Sequence, residues 1–135
     1  LGEVYAQSRS FFASIGDVDV STKIVRGSAG FFGGEGMVMQ RLSGKGLCFV
    51  LAGGTPTQKR LRDGETVYVD KGCLVAFQKS VSYEVSYTGS IKSALFGGEG
   101  FLMQKLTGPG LVVLESLPTE RLVDAMRPEN GGGGS

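Results

Sequence analysis

Two glutamates are the residues best placed by type and spacing to do chemistry. Glu35 and Glu99 each sit inside Gly-Gly-Glu-Gly, as Gly33-Gly34-Glu35-Gly36 and Gly97-Gly98-Glu99-Gly100. Glycine lets backbone approach a ligand closely, so a carboxylate held this way can meet a cation or a polar group. Glu35, Glu99, Gly34 and Gly98 are therefore candidate binding residues. The same glycines also suit a bend or bulge entering a strand, with each glutamate paired to a lysine, an arginine or a backbone amide. Gln40 and Gln104 follow at matching places among apolar neighbours and complete the candidate set. Facing inward, they require hydrogen-bond partners; otherwise they are solvated or networked amides.

Other chemistries are narrowed by what the chain lacks. It has no histidine. That removes the commonest general base and metal ligand, and with it Ser-His-Asp and Cys-His catalysis within this chain. Neither Gly-Gly-Glu-Gly copy runs on into the Gly-Lys-Ser/Thr of a phosphate loop. Cys48 and Cys73 lie in apolar, strand-like runs and read as small buried hydrophobes, which favours a reducing compartment. Two distant cysteines make no zinc signature, and no calcium-loop ladder of Asp and Asn is present. The sequence assigns no catalytic residue, no metal site and no cofactor, and an enzyme is not expected. Met37, Met39 and Met103 read as core fillers. Asp70 is expected to start a turn. Lys59-Arg60-Leu61-Arg62 reads as a solvated loop, with contact to anionic lipid headgroups as the sharper alternative.

Lys plus Arg number 14 against 13 for Asp plus Glu, a net charge of +1. That balance argues against a nucleic-acid partner held through phosphates. No apolar run reaches the length of about 18 residues that a membrane-spanning helix needs.

The elements that must position these residues come as a repeat. Residues 32–47 and 96–111 align at an offset of 64 with eleven of sixteen positions identical. With a one-residue slip the match runs upstream, Val4-Tyr5-Ala6 onto Val67-Tyr68-Val69 and Phe11-Phe12-Ala13 onto Leu74-Val75-Ala76. A duplicated β domain over residues 1–118 follows, with unit one at 1–54 and unit two at 64–118. Unit one is expected to begin part-way in, and the native start to lie before Leu1. Val81, Tyr83, Val85 and Tyr87 alternate with polar residues, the period of a strand with one buried face. Met37–Leu42 and Leu47–Leu51 flank Ser43-Gly44-Lys45-Gly46, which predicts a hairpin, repeated around Thr107-Gly108-Pro109-Gly110. Residues 119–127 carry a helical spacing in Leu122, Ala125 and Met126, ended by Pro128. Residues 128–135 read as a flexible glycine-rich tail. The fold class is all-β, roughly eleven short strands in a sandwich or rolled barrel with a short C-terminal helix.

Phe96-Gly97-Gly98-Glu99-Gly100, Leu106-Thr107-Gly108-Pro109-Gly110 and Leu61-Arg62-Asp63-Gly64-Glu65, with Val69-Asp70 and Leu74-Val75-Ala76-Phe77, resemble the altered-inheritance-of-mitochondria family of mitochondrial biogenesis proteins. The resemblance covers nearly all of residues 1–118. It implies a fold like that of the tryptophan RNA-binding attenuation protein, a compact double-stranded β-helix. It also implies about three such units where this chain shows two, so an amino-terminal unit is expected to be absent and a sheet edge to need a partner. The resulting expectation is a non-enzymatic scaffold that forms a homo-oligomer, with a membrane surface or a protein as further partner, in the cytoplasm or mitochondria. A ligand or cation module built on the Gly-Gly-Glu-Gly loops is the alternative. RNA binding is a third reading by analogy of fold alone.

Overall fold

The computed structural model describes residues 2–25, 37–70, 72–87, 102–117 and 126. Glu35, Glu99, Gly34 and Gly98 lie outside the described residues, as do the 119–127 helix (Met126 excepted) and the glycine-rich tail. The described chain is all-β. Its strands are β1 (Val4–Gln7), β2 (Phe11–Val25), β3 (Met37–Val50), β4 (Pro56–Leu61), β5 (Thr66–Asp70), β6 (Leu74–Gln78), β7 (Ser82–Tyr87), β8 (Leu102–Thr107) and β9 (Gly110–Glu115). They form a six-stranded sheet in the order β2-β3-β1-β6-β9-β4 and a three-stranded sheet in the order β5-β8-β7. Every pairing is antiparallel.

Among the described residues, β2 and β3 are longer than the short strands the sequence predicts, and the expected hairpins are absent. Ser43-Gly44-Lys45-Gly46 is not a turn. It is the middle of β3, which pairs with β2 without interruption from Phe49 to Met37. The glycines there serve close approach between two strands rather than chain reversal. A Cβ on Gly44, at φ +119°, would lie 2.2 Å from the Asp17 carbonyl oxygen, and one on Gly46 would lie 2.2 Å from that of Ile15. In unit two, the Gly108-Pro109 step does join β8 to β9, yet the strands do not pair. β8 stays between β5 and β7, while β9 passes into the large sheet between β6 and β4. The turn changes sheets. The Gln78 side chain meets the diverging strand there, its Oε1 accepting the Leu111 amide at 2.7 Å.

The pairings of unit one recur in unit two at the sequence offsets. Val4 opposite Leu42 becomes Val67 opposite Leu106, and Gln7 opposite Met39 becomes Asp70 opposite Met103. Asp19 opposite Ser43 becomes Ser82 opposite Thr107. Even the register shift between Phe11 and Ala13 has its counterpart between Leu74 and Ala76.

The main core lies between the sheets. Tyr5, Met39, Leu74, Phe77 and Val112 come from the large sheet and meet Val69, Tyr83 and Leu106 from the small one. Phe77 joins the layers through its ring, 5.6 Å from Tyr5 and stacked at 5.9 Å on Tyr83. The alternation read from the sequence holds where β7 begins, with Val81 and Tyr83 buried and Ser82 exposed. A second cluster of Ala6, Leu42, Val75 and Ala76 is built from strands of the large sheet alone.

Candidate interaction surface

Of the predicted site residues, the described structure places Gln40 and Gln104 at equivalent central positions. Gln40 lies opposite Ala6 and Thr22, and Gln104 opposite Val69 and Val85. Gln104 is buried, and its Nε2 donates to the Tyr83 hydroxyl at 3.2 Å, so it is a networked core amide. Burial raises the Tyr83 pKa, and the Gln104 hydrogen bond partly opposes that rise.

Two ionic clusters tie the units together and are not evident in the sequence. Glu3 Oε2 accepts from Arg41 Nη2 at 3.0 Å and from Lys79 Nζ at 3.2 Å, while its Oε1 accepts the Tyr5 hydroxyl at 3.0 Å. The Arg41 hydrogen bond, with Lys79 and Tyr5 behind it, holds the Glu3 carboxyl down to about 2. The same contact raises the Arg41 pKa. At the other end of the sheet, the buried Glu115 accepts from Arg9 Nη2 at 3.3 Å and from the Gly53 amide at 2.7 Å. Arg9 also donates to the Gly72 carbonyl at 3.0 Å. These contacts join the β1–β2 turn to the end of β9. Asp70 opens the neighbouring turn as expected, its carbonyl accepting the Cys73 amide at 2.9 Å.

The strand edges carry the functional signal. Lys59 and Arg60 are not in a loop; they lie on β4, which among the described residues is the outer strand of the large sheet and pairs only with β9. All of β4 except Leu61 is exposed and polar or prolyl, and Lys59 pairs with Glu65 at 3.4 Å. Such an edge discourages strand addition. Near the opposite edge the composition reverses. Phe12 and Ile15 on β2, with Leu47 and Phe49 on β3, are exposed, as is Leu51 just beyond. On the side of β3 away from β2, β1 pairs only with Met39 to Leu42, which leaves the backbone from Ser43 to Val50 without a strand neighbour among the described residues. A groove of about 300 Å³ runs beside it, lined by Val4, Leu42, Cys48, Val50, Ala76 and Val113 among others.

Cys48 belongs to this surface, and the expectation that it is buried is wrong. It is exposed, and Cys73 is half-buried. The cause lies in the neighbours. Val112, the counterpart of Cys48, is fully buried in the main core with β4 and β6 paired on either side of it, whereas β3 has no strand in the β4 position among the described residues. Apolar sequence context suggested burial; the strand that would provide it is not among the described residues. The repeat itself held the usable signal, since apolar residues in unit one align with positions that unit two covers.

Comparison with solved structures finds a crystal structure of a Streptococcus pyogenes protein at a TM-score of 0.70 and 19% identity, covering 92% of this chain and 54% of that one. At that identity the likeness is one of fold, and this chain spans about half the length of that protein. Among curated proteins nothing matches. The family model described as mitochondrial biogenesis AIM24 matches residues 1–117, nearly the whole described fold, and its description carries an association with mitochondria. The chain belongs to the mitochondrial biogenesis AIM24 family.

Proposed function

We propose that the protein is a non-enzymatic scaffold that acts as a homo-oligomer and presents a β surface to a membrane or a protein partner. The observation that supports this most is the group of exposed apolar side chains on β2 and β3 and just beyond: Phe12, Ile15, Leu47, Phe49 and Leu51. Contiguous apolar surface beside open strand backbone favours association. The charged β4 edge sets the contrast, because it is guarded in the way that non-associating edges are. Family membership adds the mitochondrial setting, and the exposed thiol of Cys48 fits a reducing compartment.

Light scattering at micromolar concentration tests the assembly; a monomer at every concentration refutes it. Flotation with anionic liposomes at low salt tests the membrane role separately. A protein that stays with the bottom fraction has no such role.

The second reading is a binding module for a small ligand or cation, built on Glu35 and Glu99. The apolar groove favours a small ligand, its volume lying at the lower end of ligand-pocket sizes. Thermal shift against metals, amino acids, nucleotides and sugars tests it. Shifts that persist in Glu35→Gln and Glu99→Gln would clear those loops.

A further inference from the structure

We propose that copies of this chain join head to tail, with β5 of one copy adding antiparallel to β2 of the next and Tyr68 opposite Ser14. This rests on the homo-oligomer reading and names its interface.

The argument is one of register. The large sheet divides by unit. Its first half is β2-β3-β1, from unit one, and its second half is β6-β9-β4, from the linker and unit two. The halves meet where β1 pairs with β6: Val4 opposite Gln78, Tyr5 opposite Phe77 and Ala6 opposite Ala76. The small sheet, β7-β8-β5, is the unit-two counterpart of β2-β3-β1 in the same registers. It ends at β5 and has no second half among the described residues.

The missing second half is present on the other side of the same molecule. β2 and β3 carry the counterparts of β6 and β9, paired in the same way down to the shared register shift. The β2 edge that corresponds to the β6 edge seated on β1 is open among the described residues, because β2 ends its sheet there. One copy thus offers a β1-type edge on β5, and the next offers a β6-type edge on β2. Transferring the β1–β6 register sets Val67 opposite Ile15, Tyr68 opposite Ser14 and Val69 opposite Ala13.

Burial at equivalent positions agrees. Tyr5, beneath the β1–β6 junction, is 6% exposed; its counterpart Tyr68 is 50% exposed. Val75 on β6 is fully buried, whereas its counterpart Phe12 on β2 is 67% exposed. Tyr68 and Phe12 are thus uncovered where the second junction would form, while Val69, the counterpart of Ala6, is already buried in the main core. The three opposed pairs carry no charge; two positions further along the register Glu65 comes opposite Asp17, where Lys59, 3.4 Å from Glu65, supplies a countercharge. The two surfaces differ, so the contact is heterologous, and it closes into a ring or extends as a filament.

The test uses two single-cysteine proteins in a Cys48→Ser, Cys73→Ala background, one with Ser14→Cys and one with Tyr68→Cys. Opposed strand residues lie within disulfide range and residues elsewhere do not. Mixed and mildly oxidised, the two should give a disulfide heterodimer about tenfold in excess of either homodimer, because only opposed positions bridge. The double variant should give a ladder of linked copies. In the natural sequence, Tyr68→Glu should shift the scattering mass to that of a monomer while the circular dichroism is retained. Homodimers as abundant as the heterodimer, or a double variant bridged only within single copies, overturn the inference. So does a Tyr68→Glu protein that keeps the oligomer mass. In each of those cases an oligomer detected by scattering leaves the scaffold reading standing, whereas a monomeric parent protein removes both.

Discussion

Removing the Glu115 carboxylate should destabilise the fold more than any other single polar change. The Glu115 side chain is only 2% exposed and holds two donors, the Arg9 guanidinium and the Gly53 amide. In Glu115→Ala the Gly53 amide loses a charged acceptor, a bond of about 1.5–3 kcal/mol. Arg9 loses its countercharge. Breaking a fully buried ion pair costs about 3–5 kcal/mol, but Arg9 is 27% exposed and keeps the Gly72 carbonyl, so water offsets much of that. The two effects overlap, and the expected loss is about 2–4 kcal/mol. For a domain of this size that corresponds to a fall in Tm of about 10 °C. Glu115→Gln keeps an oxygen for Gly53 and should lose about half as much. Urea unfolding followed by circular dichroism reads both. A loss below about 0.5 kcal/mol in Glu115→Ala would show that the pair is not an anchor of the fold.

The remaining predictions use the same assay. Glu3 is held at about 2 against its ordinary 4.5, so its stabilising contribution is complete above 4.5 and is lost as pH falls toward about 2. Urea midpoints should therefore fall more steeply across that window in the natural protein than in Glu3→Gln; parallel slopes would refute the role given to Arg41 and Lys79. Gly46→Ala places a Cβ 2.2 Å from the Ile15 carbonyl oxygen and should cost about 1–3 kcal/mol, whereas an unchanged midpoint would mean that β2 and β3 separate there as a hairpin turn would require. Phe77→Ala removes the ring between Tyr5 and Tyr83 and should cost about 3–5 kcal/mol, with loss of near-ultraviolet dichroism as the second readout.

How much of this was legible in the sequence depends on whether local chemistry or a distant partner decides the outcome. The start of β7 was readable because Val81 and Tyr83 alternate with Ser82, and alternation reports directly on which face is buried. The Gly44–Gly46 segment was misread because glycine supplies freedom without saying how it is used. There it admits the β2 backbone at close range, and only pairing with residues about thirty positions away shows it. Lys59 and Arg60 looked like a loop for the same reason: nothing local reveals that β9 lies alongside. Cys48 was misread because its apolar neighbours are shared with Val112 while its cover is not. The ionic clusters were invisible, since Glu3 meets Lys79 and Arg9 meets Glu115 across most of the chain. The candidate amides could be placed by the repeat, but the burial of Gln104 against Tyr83 required the third dimension.

The shared registers also bear on how the chain finds its fold. β1 matches β3 in the same way that β5 matches β8, so during refolding each third strand meets two first strands that fit it. Non-native exchange between β1 and β5 therefore competes with native pairing, a hazard of chains built from similar units. What separates the choices is a handful of differences: Ala6 against Val69, Gln7 against Asp70, Arg41 against Lys105. The Glu3 contact with Arg41 and Lys79 then acts as a proofreading clasp, because it forms only when β1 lies between β3 and β6.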